Sequence, residues 1–425
     1  HKMYAWAQDL FPICRSITGN GVRESLNIIK EYIPDLDIIE IPSGTQVYDW
    51  KIPKEWNIKD AYVKDNQGNR IIDFKINNLH LVNYSIPVNC TMDWNELKKS
   101  IHTIPDKPDL IPYRTSYYNE DWGFCISHNN LEEIEILNGI TNNGVYHIVI
   151  DSSLTDGHLT YGELYKPGKV KDEILLSSYI CHPSMANDNL SGPALLSAIA
   201  KELSTEDTYY SYRFLFIPET IGAITWLSMN ENKFDNIKGG LVATCIGDKG
   251  ILQYKPSRQS NTMIDSVVKK VFDDANVPHK LREFAPLGSD ERQYCSPGIN
   301  LPIGCLTRTP YGEFEEYHTS ADNLDFIDIE SMDESFDVLK EIIFYLEYNK
   351  KYYNTNPKCE PNLGNRGLYD LMGAGKRDEK ISLYKWILNY SDGEHSLIDI
   401  SNKCDTDFHS ILEAAKDLEM VDLIK

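Results

Sequence analysis

The run Glu173-Ile-Leu-Leu-Ser-Ser-Tyr-Ile180 constrains the fold more than any other stretch, because it leads directly into Cys-His182-Pro-Ser-Met-Ala-Asn-Asp188-Asn-Leu-Ser-Gly192 and then Pro193-Ala-Leu-Leu-Ser-Ala-Ile-Ala-Lys-Glu-Leu203. The first part is apolar and β-branched enough for a strand buried on both faces, and the last has helical spacing. A histidine and an aspartate therefore stand on the loop that leaves the carboxyl end of a central strand. Open α/β sheets collect their ligands there.

Three further segments repeat the arrangement. Tyr210 to Ile217 reads as a strand leading to Glu219, Thr220, Ile221 and Gly222; Leu241 to Gly247 reads as a third, ending on Asp248. Tyr317-His318-Thr-Ser-Ala-Asp322 comes after the strand-like Leu301 to Thr307 through a loop. Singly, each residue has an ordinary explanation, and Asp188 could simply cap the helix after it. Jointly, His182, Asp188, Glu219, Asp248 and His318 bring two imidazoles and three carboxylates to strand ends. Zinc takes His nitrogen and carboxylate oxygen, and a catalytic site keeps one position open for water. A carboxylate such as Glu219 can accept the proton of that water and return it to a leaving amine, which fits amide hydrolysis better than redox or phosphoryl transfer.

The same order resembles the zinc aminopeptidases of the co-catalytic di-zinc type, the family of bacterial leucine aminopeptidase. Ala186-Asn187-Asp188-Asn189-Leu190-Ser191-Gly192 is similar to the family loop whose aspartate bridges two zinc ions, and His318-Thr-Ser-Ala-Asp322 to its final His-Thr-x-x-Asp motif. Glu219-Thr-Ile-Gly222 is similar to the family's Glu-Glu-x-Gly, which puts Glu219 in the general-base position. The resemblance covers about 130 to 350, plus a helical start near 1 to 40, and is closer to a group of aminopeptidase-like proteins that carry an inserted domain and a C-terminal winged helix. It implies zinc, one or two ions, held by His182, Asp188, Asp248 and His318. The sequence departs from the family at Thr220, where a glutamate would ligate a second metal, and after His182, where Pro183 and Ser184 replace His-x-Asp. Aligning the third strand by its glycine would put Thr244 or Cys245 in the slot given to Asp248, and Glu315 or Glu316 could serve as a replacement ligand or bind an amino terminus. Gly288-Ser-Asp290-Glu291 resembles the family's Ser-Asp-His loop near the substrate.

With these residues the expected fold class is α/β: a mixed, mainly parallel sheet flanked by helices, zinc-peptidase-like, with a β-rich insertion and a C-terminal winged-helix domain. The core spans 1–44 and 131–352, the insertion 45–130, and the winged helix 356–425. Asn66-Gln-Gly-Asn69 is a hairpin signal within the insertion. Arg114 to Cys125 is dense in aromatics and turn formers; it reads as a flap that offers Tyr118 and Trp122 to the substrate, or as the core of a small sheet. Arg15-Ser-Ile-Thr-Gly-Asn either lines the cleft or joins two helices. Asp290, Glu291, Arg114 and Tyr311 are the candidate substrate-binding residues. In the C-terminal region, three helices and a strand over Met420 to Ile424 are expected.

Sixty-four acidic against 42 basic residues, a net charge of −22, oppose nucleic acid and anionic membranes as partners. From Asp405 to Lys425 acids outnumber lysines, so the winged helix suits an interaction or homo-oligomer contact better than DNA. No apolar run approaches the ~18 residues that span a bilayer, and nine scattered cysteines with no Cys-x-x-Cys pair suit reduced thiols. The resulting expectation is a cytoplasmic, zinc-dependent aminopeptidase or related amidohydrolase acting on a small peptide or amino-acyl substrate. The alternative is a non-catalytic, ligand-sensing regulator built on a peptidase-like core, for which Thr220 is the best argument.

Overall fold

The computed structural model describes residues 2–141, 144–368 and 374–425. The chain divides into two compact units, one of residues 1–260 with 279–336 and one of 261–278 with 337–425.

The first unit is built on an eight-stranded mixed sheet. Its strands, numbered along the chain, are β1 (Asp37–Pro42), β2 (His158–Lys166), β3 (Glu173–Tyr179), β4 (Ser211–Ile217), β5 (Ile237–Ala243), β6 (Leu252–Lys255), β7 (His279–Leu281) and β8 (Ile303–Thr307). They lie in the order β1-β2-β4-β3-β5-β8-β6-β7. β3 sits between β4 and β5, parallel to both, and β8 extends the parallel block. β1, β2 and β6 join antiparallel to their inner neighbours. Every residue of β3 and β4 is buried, as expected for strands covered on both faces.

Helix α1 (Ser191–Leu203) comes after the loop that leaves β3, and α2 (Ile221–Met229) after the loop that leaves β4. Gly192 is required by close approach: a Cβ there would lie 2.2 Å from Ser178 Oγ and 2.5 Å from the Ala243 carbonyl. The helix is thereby pressed onto the ends of β3 and β5, and the loop before it is held tightly.

A second, four-stranded antiparallel sheet in this unit has the order Arg70–Asp73, Glu55–Lys64, Val145–Thr155, Val88–Asp93, so it draws residues from both sides of position 130. Asp65 closes its first hairpin by accepting from the backbone of Gln67 and Asn69, the turn chemistry signalled by Asn66 to Asn69. Trp56, Ala61, Val63, Ile148 and Ile150 form its buried face.

The C-terminal unit contains helices Ala374–Tyr390, Leu397–Lys403 and Phe408–Met420 and a two-stranded ribbon of Lys351–Tyr353 with Asp392–Ser396, the pattern of a winged helix. Ser396 and Asp399 cap the second of these helices reciprocally. The strand expected over Met420 to Ile424 is absent: Met420 ends a helix, and only Ile424 makes a bridge, to Asn354. Among the described residues no helix is long and apolar enough to cross a membrane, and none of the nine cysteines is in a disulfide.

Candidate metal centre

The loop from Cys181 to Leu190 carries two of the site's side chains beyond the carboxyl end of β3. His182 is 6% and Asp188 1% exposed. Asparagines on either side of Asp188 hold the loop. Asn187 donates to Asp248 and accepts from the Gly247 N–H, while Asn189 donates to Ser178 Oγ and to the Tyr179 carbonyl. The carboxylate of Asp322 accepts from the backbone N–H groups of both Asn187 and Asp188, at 2.6 and 2.9 Å. The backbone on this side of Asp188 is thus committed, and its carboxylate is left to face the histidines.

His318 arrives from the loop after β8 in the left-handed region, φ 53°, where histidine is tolerated better than most residues. Segment 111–113 secures it: the Tyr113 N–H donates to the His318 carbonyl at 2.7 Å, and Pro112 bridges to Thr319. Asp188 Oδ1 lies 3.3 Å from His182 Nδ1, and Asp188 Oδ2 lies 3.0 Å from His318 Nε2. One ligand atom from each of the three residues falls within a 4.8 Å group, the one such group among the described residues.

His182 Nδ1, Asp188 Oδ2 and His318 Nε2 are buried and make no hydrogen bond outside their own cluster. Buried polar atoms are nearly always satisfied, so three orphans that converge indicate a missing partner. Two imidazole nitrogens and a carboxylate oxygen are the donor set that zinc accepts, and the residues fit a zinc ion.

The electrostatics agree with a cationic partner. Burial raises the Asp188 carboxyl, but His182 and His318 more than reverse this and hold it well below the usual range. Burial alone would lower His182; the carboxylates of Asp188 and Glu219 instead raise it. Glu219 stands just past β4 at the adjacent strand end. Its Oε2 is 3.7 Å from His182 Nε2, and its side chain remains 26% exposed. Burial raises its carboxyl to about 7, with His182 pulling down and Asp188 pushing up. A carboxylate poised near neutrality beside an open site has the proton affinity of a general base.

The other expected ligand, Asp248, is not brought to the group. β5 ends at Ala243, so Asp248 lies beyond the strand end. Both of its oxygens are occupied, Oδ1 by Gly250 N and Thr309 Oγ1 and Oδ2 by Asn187 Nδ2 and Thr309 N. Asp248 is therefore a brace for the Asp188 loop. Cys245, Glu315 and Glu316 also stand outside the group. Thr220 has φ 63° and points its N–H at Asp290 Oδ1, 2.7 Å away. Asp290 is wholly buried with Oδ2 unpartnered. Glu291 pairs with Lys255, Tyr311 accepts from the Ser289 N–H, and Arg114 is exposed and bonded to His102.

Several neighbours of the site are not among the sequence candidates. The Tyr113 ring stands edge-on to both His182 and His318, with centroids 5.3 and 5.0 Å away. Tyr179 donates its hydroxyl to Asp188 Oδ1. The fully buried Arg15 donates from Nε to the His182 carbonyl at 2.9 Å. Only Arg15 carried a sequence signal, as part of a motif that could line the cleft.

The fold and this centre define an aminopeptidase-like α/β core together with a winged helix. In solved structures the core is similar to the Bacillus subtilis zinc aminopeptidase BSAP, at 12% identity and a TM-score of 0.59 over 81% of this chain and 94% of that one. It is also similar to a peptidase M28 precursor from Shewanella amazonensis, at 12% identity and a TM-score of 0.56 over 81% and 93%. At that identity the likeness shows the fold alone. Residues 4–349 match a family described as a domain of unknown function, DUF4910, to which the chain belongs, and residues 350–425 match a winged helix-turn-helix model, HTH_47. A Clostridium acetobutylicum relative, 52% identical over all of this chain and 96% of its own length, bears a name that proposes a polysaccharide biosynthesis protein with an aminopeptidase-like domain. A crystal structure from that organism, described as a proposed peptidase, superposes with a TM-score of 0.92 at 52% identity, over all of this chain and 95% of that one.

Proposed function

We propose that the protein is a zinc-dependent aminopeptidase or related amidohydrolase that cleaves an amide bond of a small amino-acyl or peptide substrate. The observation that carries this reading is the convergence of three buried, unpartnered ligand atoms on His182, Asp188 and His318 beside a partly open Glu219. Zinc bound there supplies Lewis acidity toward the amide carbonyl and acidifies water. Glu219 takes the proton of the attacking water and passes it to the departing amine. Asp322 and the two flanking asparagines keep Asp188 aimed, and Tyr113 packs its ring edge-on against both imidazoles. Of the candidate substrate-binding residues, Asp290 retains an unpartnered oxygen suited to a substrate amino group; Glu291 is ion-paired with Lys255, and Tyr311 accepts from the Ser289 N–H.

The reading includes a single ion. A second would need carboxylates of its own, yet Asp248 is fully hydrogen-bonded and position 220 is threonine. The name of the Clostridium relative supports a search for substrates among amides of polysaccharide precursors. Two measurements test the proposal: zinc content by mass spectrometry after dialysis, and hydrolysis of leucinamide and N-acylated amino sugars. One zinc per chain with amide turnover is expected. Absence of zinc from protein supplied with it refutes the reading and favours the ligand-sensing regulator, to which Thr220 already points.

A further inference from the structure

A continuous file of aromatic rings leads from the candidate metal centre to the protein surface. Tyr113, against both histidines, shares a 2.5 Å hydroxyl contact with Tyr117. The Tyr117 ring lies 6.2 Å from Tyr118, and Tyr118 stands edge-on to Trp50 at 5.4 Å. Tyr113 at the inner end is 7% exposed, whereas Tyr118 and Trp50 at the outer end are 51% and 39% exposed. Trp50 also forms one wall of a groove of about 320 Å³, whose apolar floor includes Ile224, Leu227 and Ile299 and whose edge carries Asp49, Gln293 and Ser296.

The hairpin that presents Trp50 is held at a conformational cost. Gln46–Val47 pairs with Trp50–Lys51 across a two-residue turn, and the first turn residue, Tyr48, has φ 52°. That turn position favours glycine, and a bulky residue there is an outlier. Tyr48 is 42% exposed and is pinned through its hydroxyl to Glu231 at 2.8 Å. Strain retained in a surface turn, together with clustered exposed aromatics, points to ligand recognition more than to stability.

A pyranose ring has the matching chemistry. Its C–H face is apolar and packs flat on an aromatic ring, while its equatorial hydroxyls project sideways to carboxylate, amide and hydroxyl groups such as those of Asp49, Gln293 and Ser296. The acidic edge is ill suited to anionic ligands, and Glu231 is already engaged by Tyr48.

We propose that Trp50, Tyr118 and the groove beyond them bind a neutral sugar ring, so that the substrate is an amide carried on a saccharide. The proposal rests on the hydrolase reading and adds to it the place and chemical class of substrate recognition.

Saturation-transfer NMR on the full chain, with methyl glucoside, methyl galactoside and N-acetylglucosamine as sugar probes and choline as a cationic probe, tests it. At least one sugar should receive saturation on its ring C–H protons, and its affinity should fall roughly tenfold in both Trp50→Ala and Tyr118→Ala, the loss set by removing one aromatic face. Both side chains are well exposed, so zinc content and melting temperature should stay at wild-type values. Transfer to choline alone, to none of the three sugars, or equally in wild type and both variants overturns the proposal. Sugar binding without any amide turnover overturns the hydrolase reading instead, whereas turnover of leucinamide without sugar binding overturns only the sugar platform.

Discussion

The two ends of β3 carry buried charge in opposite ways. At its amino end Glu173 accepts from Arg213 Nε and Nη2 at 2.7 and 2.9 Å. Glu163 on β2 completes the network by accepting from Arg213 Nη1, from Trp226 Nε1 at 3.1 Å and from Lys233 at 3.4 Å. Each carboxylate oxygen there has a donor. Beyond the carboxyl end of the same strand, the buried atoms His182 Nδ1, Asp188 Oδ2 and His318 Nε2 have no donor or acceptor outside their own cluster. Burial is common to both clusters, and satisfaction separates them. A buried ionic network closed on itself is a structural device, whereas a buried polar set that converges without closing is arranged for something it does not contain.

Removing a ligand gives the largest contrast. His318→Ala should take zinc content from one per chain to near none, measured by mass spectrometry on dialysed protein, with thermal stability equal to that of metal-free wild type. Retained zinc in that variant would remove His318 from the centre.

Next in size, Glu219→Gln should lower kcat by about 10² to 10⁴ while zinc stays bound, since the amide cannot accept a proton. Loss of zinc, with turnover restored by adding it back, would make Glu219 a ligand.

At the closed end of the strand, Arg213→Met strands two carboxylates and should cost about 3–5 kcal/mol in urea denaturation, because an uncompensated buried charge remains. The folded variant should still hold its zinc. A variant that kept its stability but lost metal would reverse the contrast between the two strand ends.

The smallest effect concerns Arg23 and Glu55, a closed pair near the surface. Hydrogen bonds from Arg23 outweigh burial and draw the Glu55 carboxyl down to about 2. Because the folded value lies below the unfolded one, the pair stabilises the protein above the ordinary glutamate range and loses that contribution as pH falls toward the folded value. Between about pH 5 and pH 2 wild type should therefore lose about 1–2 kcal/mol more than Glu55→Gln, read from denaturation curves at the two pH values. Equal losses would show that the Arg23–Glu55 pairing adds nothing to folding.

Much of this was legible in the residues themselves. The apolar run before His182 and the helical spacing after Gly192 specify strand, loop and helix from local pattern alone, and the structure has β3 and α1 there. The Asn66 to Asn69 turn is local in the same sense. Met420 to Ile424 misleads because it is a short run that is apolar except for Asp422, while Leu418, Leu423 and Ile424 are buried in the C-terminal unit without forming a strand. Asp248 misleads differently: a carboxylate after a strand looks the same in sequence whether it faces a metal or braces a neighbouring loop.

The order of the site residues along the chain and their attachment to strand ends were determined by sequence, because periodicity and turn chemistry act over a few residues. Which carboxylates remain free was decided only by the tertiary structure. Asp248 is filled by Asn187 and Thr309 and Asp322 by the backbone of Asn187 and Asp188, while Asp188 Oδ2 faces only His318. Tyr113 reaches the histidines through a pairing between segments far apart in the chain. Hydrogen-bond satisfaction depends on neighbours that the fold supplies, and a side chain's type does not reveal whether its partner has already been found.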